Sequence, residues 1–172
     1  RLRAKWEPVA EVTQIKGDSE TISSLSPNDE FADFETYAYH IQAKNEGYNA
    51  LQGDYLRSGL RRGLKLEQEL GTNPYKLGMI GSTDAHTGMA SAEEQNFHGK
   101  MARDGTPERR LINPGRPDAT SGWAMAAQGL GAVWSYYNDR SSIMQACKRR
   151  EVYATSGRRI YLRVCGCWVF NK

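Results

Sequence analysis

The chain has 172 residues, 39% of them hydrophobic, 10% aromatic and 25% charged. These fractions are those of an ordinary globular domain, and they exclude a collagenous, low-complexity or wholly disordered chain. Twenty-three basic against twenty acidic residues leave a net charge of +3, too balanced to indicate a nucleic-acid partner, and no run approaches the roughly eighteen consecutive apolar residues of a membrane span.

The chain opens Arg1-Leu-Arg-Ala-Lys-Trp6, without a methionine or a signal peptide. It stops inside the aromatic, strand-like run Trp168-Val-Phe170-Asn-Lys172, so both ends read as cuts through a longer protein. Residues 8–15 are rich in β-branched side chains and predict a short, largely buried strand. Residues 16–20 predict a loop at its carboxyl end. The Ser-Pro-Asn-Asp turn at 26–29 leads to Phe31, Phe34 and Ala38, spaced like one face of a short helix.

Residues 54–70 predict the clearest helix. Leu56, Leu60 and Leu64 repeat at intervals of four, with Leu70 continuing the stripe. Asp54 is placed to cap its start, and Gly71 to end it in the left-handed conformation. Lys76 to Gly81 predict a second short buried strand, which runs into Ser82-Thr83-Asp84-Ala85-His86-Thr87-Gly88. Residues 87–122 read as a long, turn-rich loop, a length that usually carries function or disorder.

Residues 129–137 are apolar and strand-like. Asn138 or Asp139 then caps a helix over 140–150, with Ile143, Met144 and Cys147 facing inward, and Glu151 to Gly157 turn into a last strand at Ile160–Val164. Strand, helix and strand recur in that order, so the expected class is α/β. Polar clusters follow both early strands, where open α/β sheets and barrels bind ligands.

Asp84-Ala85-His86 is the sharpest chemical feature. Side chains two apart on extended backbone point to one side, so a carboxylate oxygen and an imidazole nitrogen can reach one divalent ion. Thr83 and Thr87 are placed to orient these two ligands. The bland alternative is a turn-capping aspartate beside a surface histidine. His98 lies fourteen residues after Asp84, in the long loop, as a candidate proton donor or substrate contact; His40 reads as a solvated helix position.

Glu11 lies on the first strand, and Lys16 and Glu20 in the loop after it. A carboxylate there can bind metal or act as a base, and a lysine can hold an anionic oxygen as a point charge. A solvated charged loop explains each of them singly as well. Arg149-Arg150 and Arg158-Arg159 flank Thr155-Ser156-Gly157, an arrangement open to anion recognition or to simple helix-dipole stabilisation. Cys147, Cys165 and Cys167 form no disulfide framework and read as strand cysteines rather than a soft-metal site. No Walker loop, Gly-x-Gly-x-x-Gly or Gly-x-Ser-x-Gly is present, which leaves nucleotide binding and serine-esterase chemistry unsupported.

Five separated blocks, in order, carry a family resemblance: Glu11 to Glu20, Leu25 to Phe34, Gly81 to His86, Gly129 to Trp134 and Lys148 to Gly157. The chain resembles the C-terminal part of the bacterial DUF3604 family, which is similar to the PHP superfamily (polymerase and histidinol phosphatase). The resemblance implies an α/β fold, the C-terminal part of a distorted (βα)7 barrel over residues 1–159, followed at 160–172 by the truncated start of a β appendage.

It also implies a divalent-metal-dependent hydrolase, most naturally a phosphoesterase with a metal-activated water, acting on a small phosphorylated or otherwise anionic ester. The superfamily's last metal motif, Asp-x-His, falls on Asp84 and His86. The ions would be manganese, zinc or iron in a multinuclear site completed by residues outside this chain, and the fragment alone would be inactive. On this reading Lys16, Glu20 and His98 are candidate catalytic or substrate residues. Glu11, Thr83, Thr87, Thr155 and Ser156 are supporting or substrate-contacting ones. The alternatives are a non-catalytic α/β module holding an anion or sugar, or an inert partial domain.

Overall fold

The structure, a computed structural model, describes residues 2–34, 36, 49–88, 99–101, 106–108 and 129–166. A short helix, α1 (Leu2–Trp6), precedes the first strand, β1 (Val9–Gln14), whose β-branched Val9, Val12 and Thr13 favour extended backbone. Residues 16–20 are not wholly a loop. Gly17 adopts φ 94°, which folds the chain back as β2 (Gly17–Asp18), antiparallel to β1 with Thr13 opposite Asp18 and Gln14 opposite Gly17. Only glycine takes such a φ cheaply, so the tight reversal depends on it. Ile15, at the tip of this reversal, is completely buried.

The helix expected around Phe31, Phe34 and Ala38 is not found over its described part. Residues 22–34 run as successive turns, held by bonds such as Ser26 N–H to Ile22 O and Ala32 N–H to Asp29 O. Phe31 and Phe34 face solvent, and Ala32 between them is buried; Ala38 lies outside the described residues. The short-range Asx and turn bonds, such as Phe31 N–H to Asp29 Oδ1 at 3.0 Å, outcompete a helix here.

The long helix, α2, spans Leu56–Leu70 and ends at Gly71 with φ 65°, as its pattern predicts. Its start differs from expectation. Tyr55 is the N-cap, with no side-chain capping bond, and Asp54 instead accepts from the Leu51 N–H at 2.8 Å. The free N–H groups of the first turn are met by main chain: Leu56 donates to Ser19 O and Arg57 to Glu20 O, both at 3.0 Å. The leucine stripe is only partly inward. Leu56 and Leu60 are half-buried, Leu64 and Leu70 are exposed, and the buried position is Gly63, against Asn73 and Tyr75.

After α2 the chain forms β3 (Gly78–Gly81), parallel to β1, with Val9 opposite Gly78 and Thr13 opposite Gly81 across a bulge. Strand, helix and parallel strand thus make one βαβ unit, and the sheet order is β2-β1-β3. A second, two-stranded antiparallel sheet joins β4 (Gly129–Val133) to β5 (Val152–Ser156). Between them lies α3 (Arg140–Arg149), capped by Asp139, whose Oδ1 accepts from Ser142 N–H at 2.8 Å. Its fully buried side chain is Ala146; Ile143 and Cys147 are half-buried beside it as expected, and Met144 is exposed. The last strand is Val152–Ser156, and no strand forms over 160–164.

The two sheets meet backbone to backbone. A side chain at Gly129 would run into the carbonyl of Thr13 and come within 2.7 Å of Ser82 O, and one at Gly81 would lie 2.7 Å from Leu130 N. These glycines bring β4 against the carboxyl ends of β1 and β3. Over the described residues the chain is therefore mixed α/β, with small sheets and few helices. The buried apolar side chains among the described residues are Ile15, Ala32 and Ala146.

A lysine-bridged Asp-x-His site at the strand ends

Parallel pairing of β1 and β3 brings their carboxyl ends side by side. Ser82 N–H donates to Thr13 O at 3.0 Å, continuing the ladder one residue past β3. Beyond it the chain must turn. Thr83 Oγ1 accepts from Ala85 N–H at 3.3 Å, and Asp84 takes φ 45° in the left-handed region. Aspartate tolerates that region better than most residues because its short polar side chain bonds locally.

The turn places Asp84 and His86 on one side. His86 Nε2 lies 3.1 Å from Asp84 Oδ1. The pair also gathers two ammonium groups. Lys16, from the β1–β2 turn, forms an ion pair with Asp84 Oδ2. Lys100 reaches the same oxygen at 2.6 Å, and it also donates to the Asp84 carbonyl and to His86 Nε2 at 3.0 Å. The backbone reinforces the join: His86 N–H donates to Lys100 O at 2.7 Å, and His86 forms an isolated parallel bridge with Met101. Lys100 is only 5% exposed.

Burial first, then the neighbouring Lys100 ammonium, pushes Lys16 down from 10.5 to about 8, against the pull of the Glu11 carboxylate. Burial likewise lowers Lys100, opposed by its contact with Lys16 and by Glu11. Glu11 sits at the rim, where its carboxylate accepts from the Ser82 hydroxyl. The cluster is one connected electrostatic unit of two carboxylates, two ammoniums and an imidazole.

The donor set suits a divalent ion in chemistry and spacing. One carboxylate oxygen and one imidazole nitrogen 3.1 Å apart are a separation that two ligand bonds of about 2.0–2.2 Å span on a single ion. Two protein donors do not complete such a site, and among the described residues no group of three or more His, Cys, Asp or Glu side chains gathers.

The other expected residues are placed as follows. Glu20 is held by Arg57 at 2.5 Å, and the same guanidinium binds Asp29 at 2.6 Å, so Glu20 ties the turn region to α2. Thr155 and Ser156 lie on β5, opposite Leu130 and Gly129, and Ser156 lines a hollow of about 340 Å³ with Val12, Thr13, Glu20 and Phe34. Thr87 adjoins His86. Arg150 caps α3 with φ 65° and bonds the Lys76 carbonyl, and Arg149 pairs with Glu151 at 2.8 Å. Cys147 and Cys165 are free thiols. His40, His98 and Cys167 lie outside the described residues.

Lys100 is the functional-site residue that sequence reasoning passed over. It ends the segment Asn96-Phe-His-Gly99-Lys100, in which the histidine drew attention, and nothing in the spacing pairs a lysine with an aspartate sixteen positions earlier.

A family profile described as "Protein of unknown function (DUF3604)" matches residues 1–172. No curated protein and no solved structure matches the chain. No helix among the described residues is long and apolar enough to cross a membrane.

Proposed function

Because this chain belongs to the DUF3604 family, we propose that it forms the metal-binding end of a divalent-metal-dependent hydrolase, a phosphoesterase acting on a small anionic ester. The proposal includes a PHP-like (βα)7 barrel, of which the β1–α2–β3 unit would be one repeat, and further metal ligands beyond the described residues. The observation that carries it is the convergence of Asp84 Oδ1 and His86 Nε2, 3.1 Å apart, at the carboxyl end of a parallel strand. That end of an α/β sheet is where ligands bind.

Asp84 and His86 would hold the ion. Manganese, zinc or iron there supplies charge stabilisation on ester oxygens and lowers the pKa of water at the site to about 7. The protein's own groups do the rest. Lys16, largely buried on the β1–β2 turn and paired with Asp84, would meet the anionic group of the substrate at the mouth as a point charge. The Ser82–Glu11 bond ties the β3 exit to β1, so the two strand ends keep their spacing. The Thr83–Ala85 bond keeps the Asp84 turn in its left-handed form.

The paired lysines favour a second reading, a metal-free module that holds an anion at the same mouth. Metal analysis of the full-length protein separates the two. Stoichiometric manganese, zinc or iron, with occupancy falling at least ten-fold in Asp84→Ala and in His86→Ala, is the expected result. Unchanged occupancy in both variants overturns the ligand assignment, and phosphate binding without metal supports the module instead.

A further inference from the structure

We propose that Lys100 is a built-in cation held against the Asp84 carboxylate and His86 Nε2, and that a divalent ion enters this site only by displacing it. This rests on the metal reading of the same site and adds a competitor inside the chain. The reasoning begins with hydrogen-bond capacity. A lysine ammonium has three N–H donors and no acceptor. Lys100 has three acceptors around it: the Asp84 carbonyl, Asp84 Oδ2 at 2.6 Å and His86 Nε2 at 3.0 Å. Its donors are matched one for one, and at 5% exposure water is not needed to complete the shell.

The imidazole makes the competition strict. A neutral ring carries one N–H and one nitrogen with a free lone pair. His86 Nε2 lies 3.0 Å from Lys100 Nζ and 3.1 Å from Asp84 Oδ1, so the ammonium stands against the one ring nitrogen that a shared ion would use. A metal ion bonds through the Nε2 lone pair. Lys100 and the ion therefore cannot both hold Nε2. At the carboxylate the exclusion is electrostatic, because Oδ2 already receives Lys16 and Lys100, and an ion on Oδ1 adds a third cationic centre to one side chain.

The arrangement has a consequence for the apo protein. Lys100 keeps the Asp84 turn and the His86 ring in the geometry that ligation needs, because it binds both the main chain and the side chain of Asp84. The ion then meets ordered donors, at the cost of breaking the Lys100 bond to His86.

Lysine footprinting on the full-length protein tests this. The protein is acetylated briefly with and without saturating manganese or zinc, and each lysine is quantified by mass spectrometry. Lys100 acetylation is expected to rise at least five-fold when the ion is bound, while Lys65, exposed on α2, stays constant as the internal reference. Calorimetric titration of Lys100→Met with the same ion is expected to show at least ten-fold tighter binding than wild type. Removal of any nearby positive charge also tightens binding, so the footprint is the reading that identifies displacement. If the ion binds through Asp84 and His86, as loss in their alanine variants reports, and Lys100 reactivity stays flat or falls, this inference fails and the metal reading stands. If ion binding ignores those two variants, both fail together.

Discussion

Lys100 Nζ lies 2.6 Å from Asp84 Oδ2, although sixteen positions separate the two residues in sequence. The contact joins residues 99–101 to the turn that follows β3, and the His86–Met101 bridge holds them there. A buried ammonium needs its charge met, since an unpaired one would cost several kcal/mol. Asp84 and His86 meet it, so the candidate ligands already have work in the folded chain besides any metal. Three further outcomes follow from the way the surrounding elements are packed.

Gly129→Ala is expected to destabilise the protein strongly. The added methyl group would collide with Thr13 O and lie 2.7 Å from Ser82 O, both rigid main-chain atoms that cannot swing aside. Overpacking of this kind costs about 1–3 kcal/mol and sometimes more, a Tm drop on the order of 5–10 °C for a domain of this size. Thermal unfolding followed by circular dichroism measures it. A Tm within a degree of wild type would mean that β4 does not press on the β1 and β3 ends as described.

Stability should decline in acid through Asp29. Its carboxyl is held below 3.8, first by the Arg57 guanidinium and then by the Phe31 N–H. A carboxylate depressed in the folded state contributes stability that is fully present above its unfolded pKa and is lost as pH falls through the folded one. The Tm of Asp29→Asn is therefore expected below that of wild type at pH 7, with the gap closing as pH drops under about 4. A gap that stays constant from pH 7 to pH 2 would show that the charge of Asp29 is irrelevant to the turn it braces.

Lys16→Met should weaken substrate capture more than turnover. Its ammonium stands at the strand-end mouth on Asp84. If it also draws in an anionic ester, its loss removes binding shared by ground and transition states, raising KM about ten-fold with kcat little changed. Lys16→Arg should recover part of the loss, because the charge remains. Steady-state kinetics on an aryl phosphate with the full-length, metal-loaded protein reads both constants. Equal falls in kcat and kcat/KM would instead place Lys16 in the transition state.

The sequence determined the pieces whose cause is local. A β-branched run made β1, a leucine repeat closed by Gly71 made α2, and Asp139 capped α3; Asp84 and His86 do come together as their spacing suggested, but through a left-handed turn at Asp84 rather than along extended backbone. The α/β class followed from the order of those pieces. Local pattern was misleading where a neighbour decided the outcome. Asp54 bonds Leu51 rather than capping α2, because carbonyls of the post-β2 turn already serve the helix N–H groups. Leu64 and Leu70 stay exposed because Gly63, Asn73 and Tyr75 set the packed side of α2.

Only the tertiary structure decided that Gly129 seats β4 on Thr13 and Ser82, and that Lys16 and Lys100 converge on Asp84. Charge pairing between distant segments has no period and no fixed spacing along the chain. It is set by which strand ends the fold brings together, and by the requirement that a buried ammonium find its acceptors there.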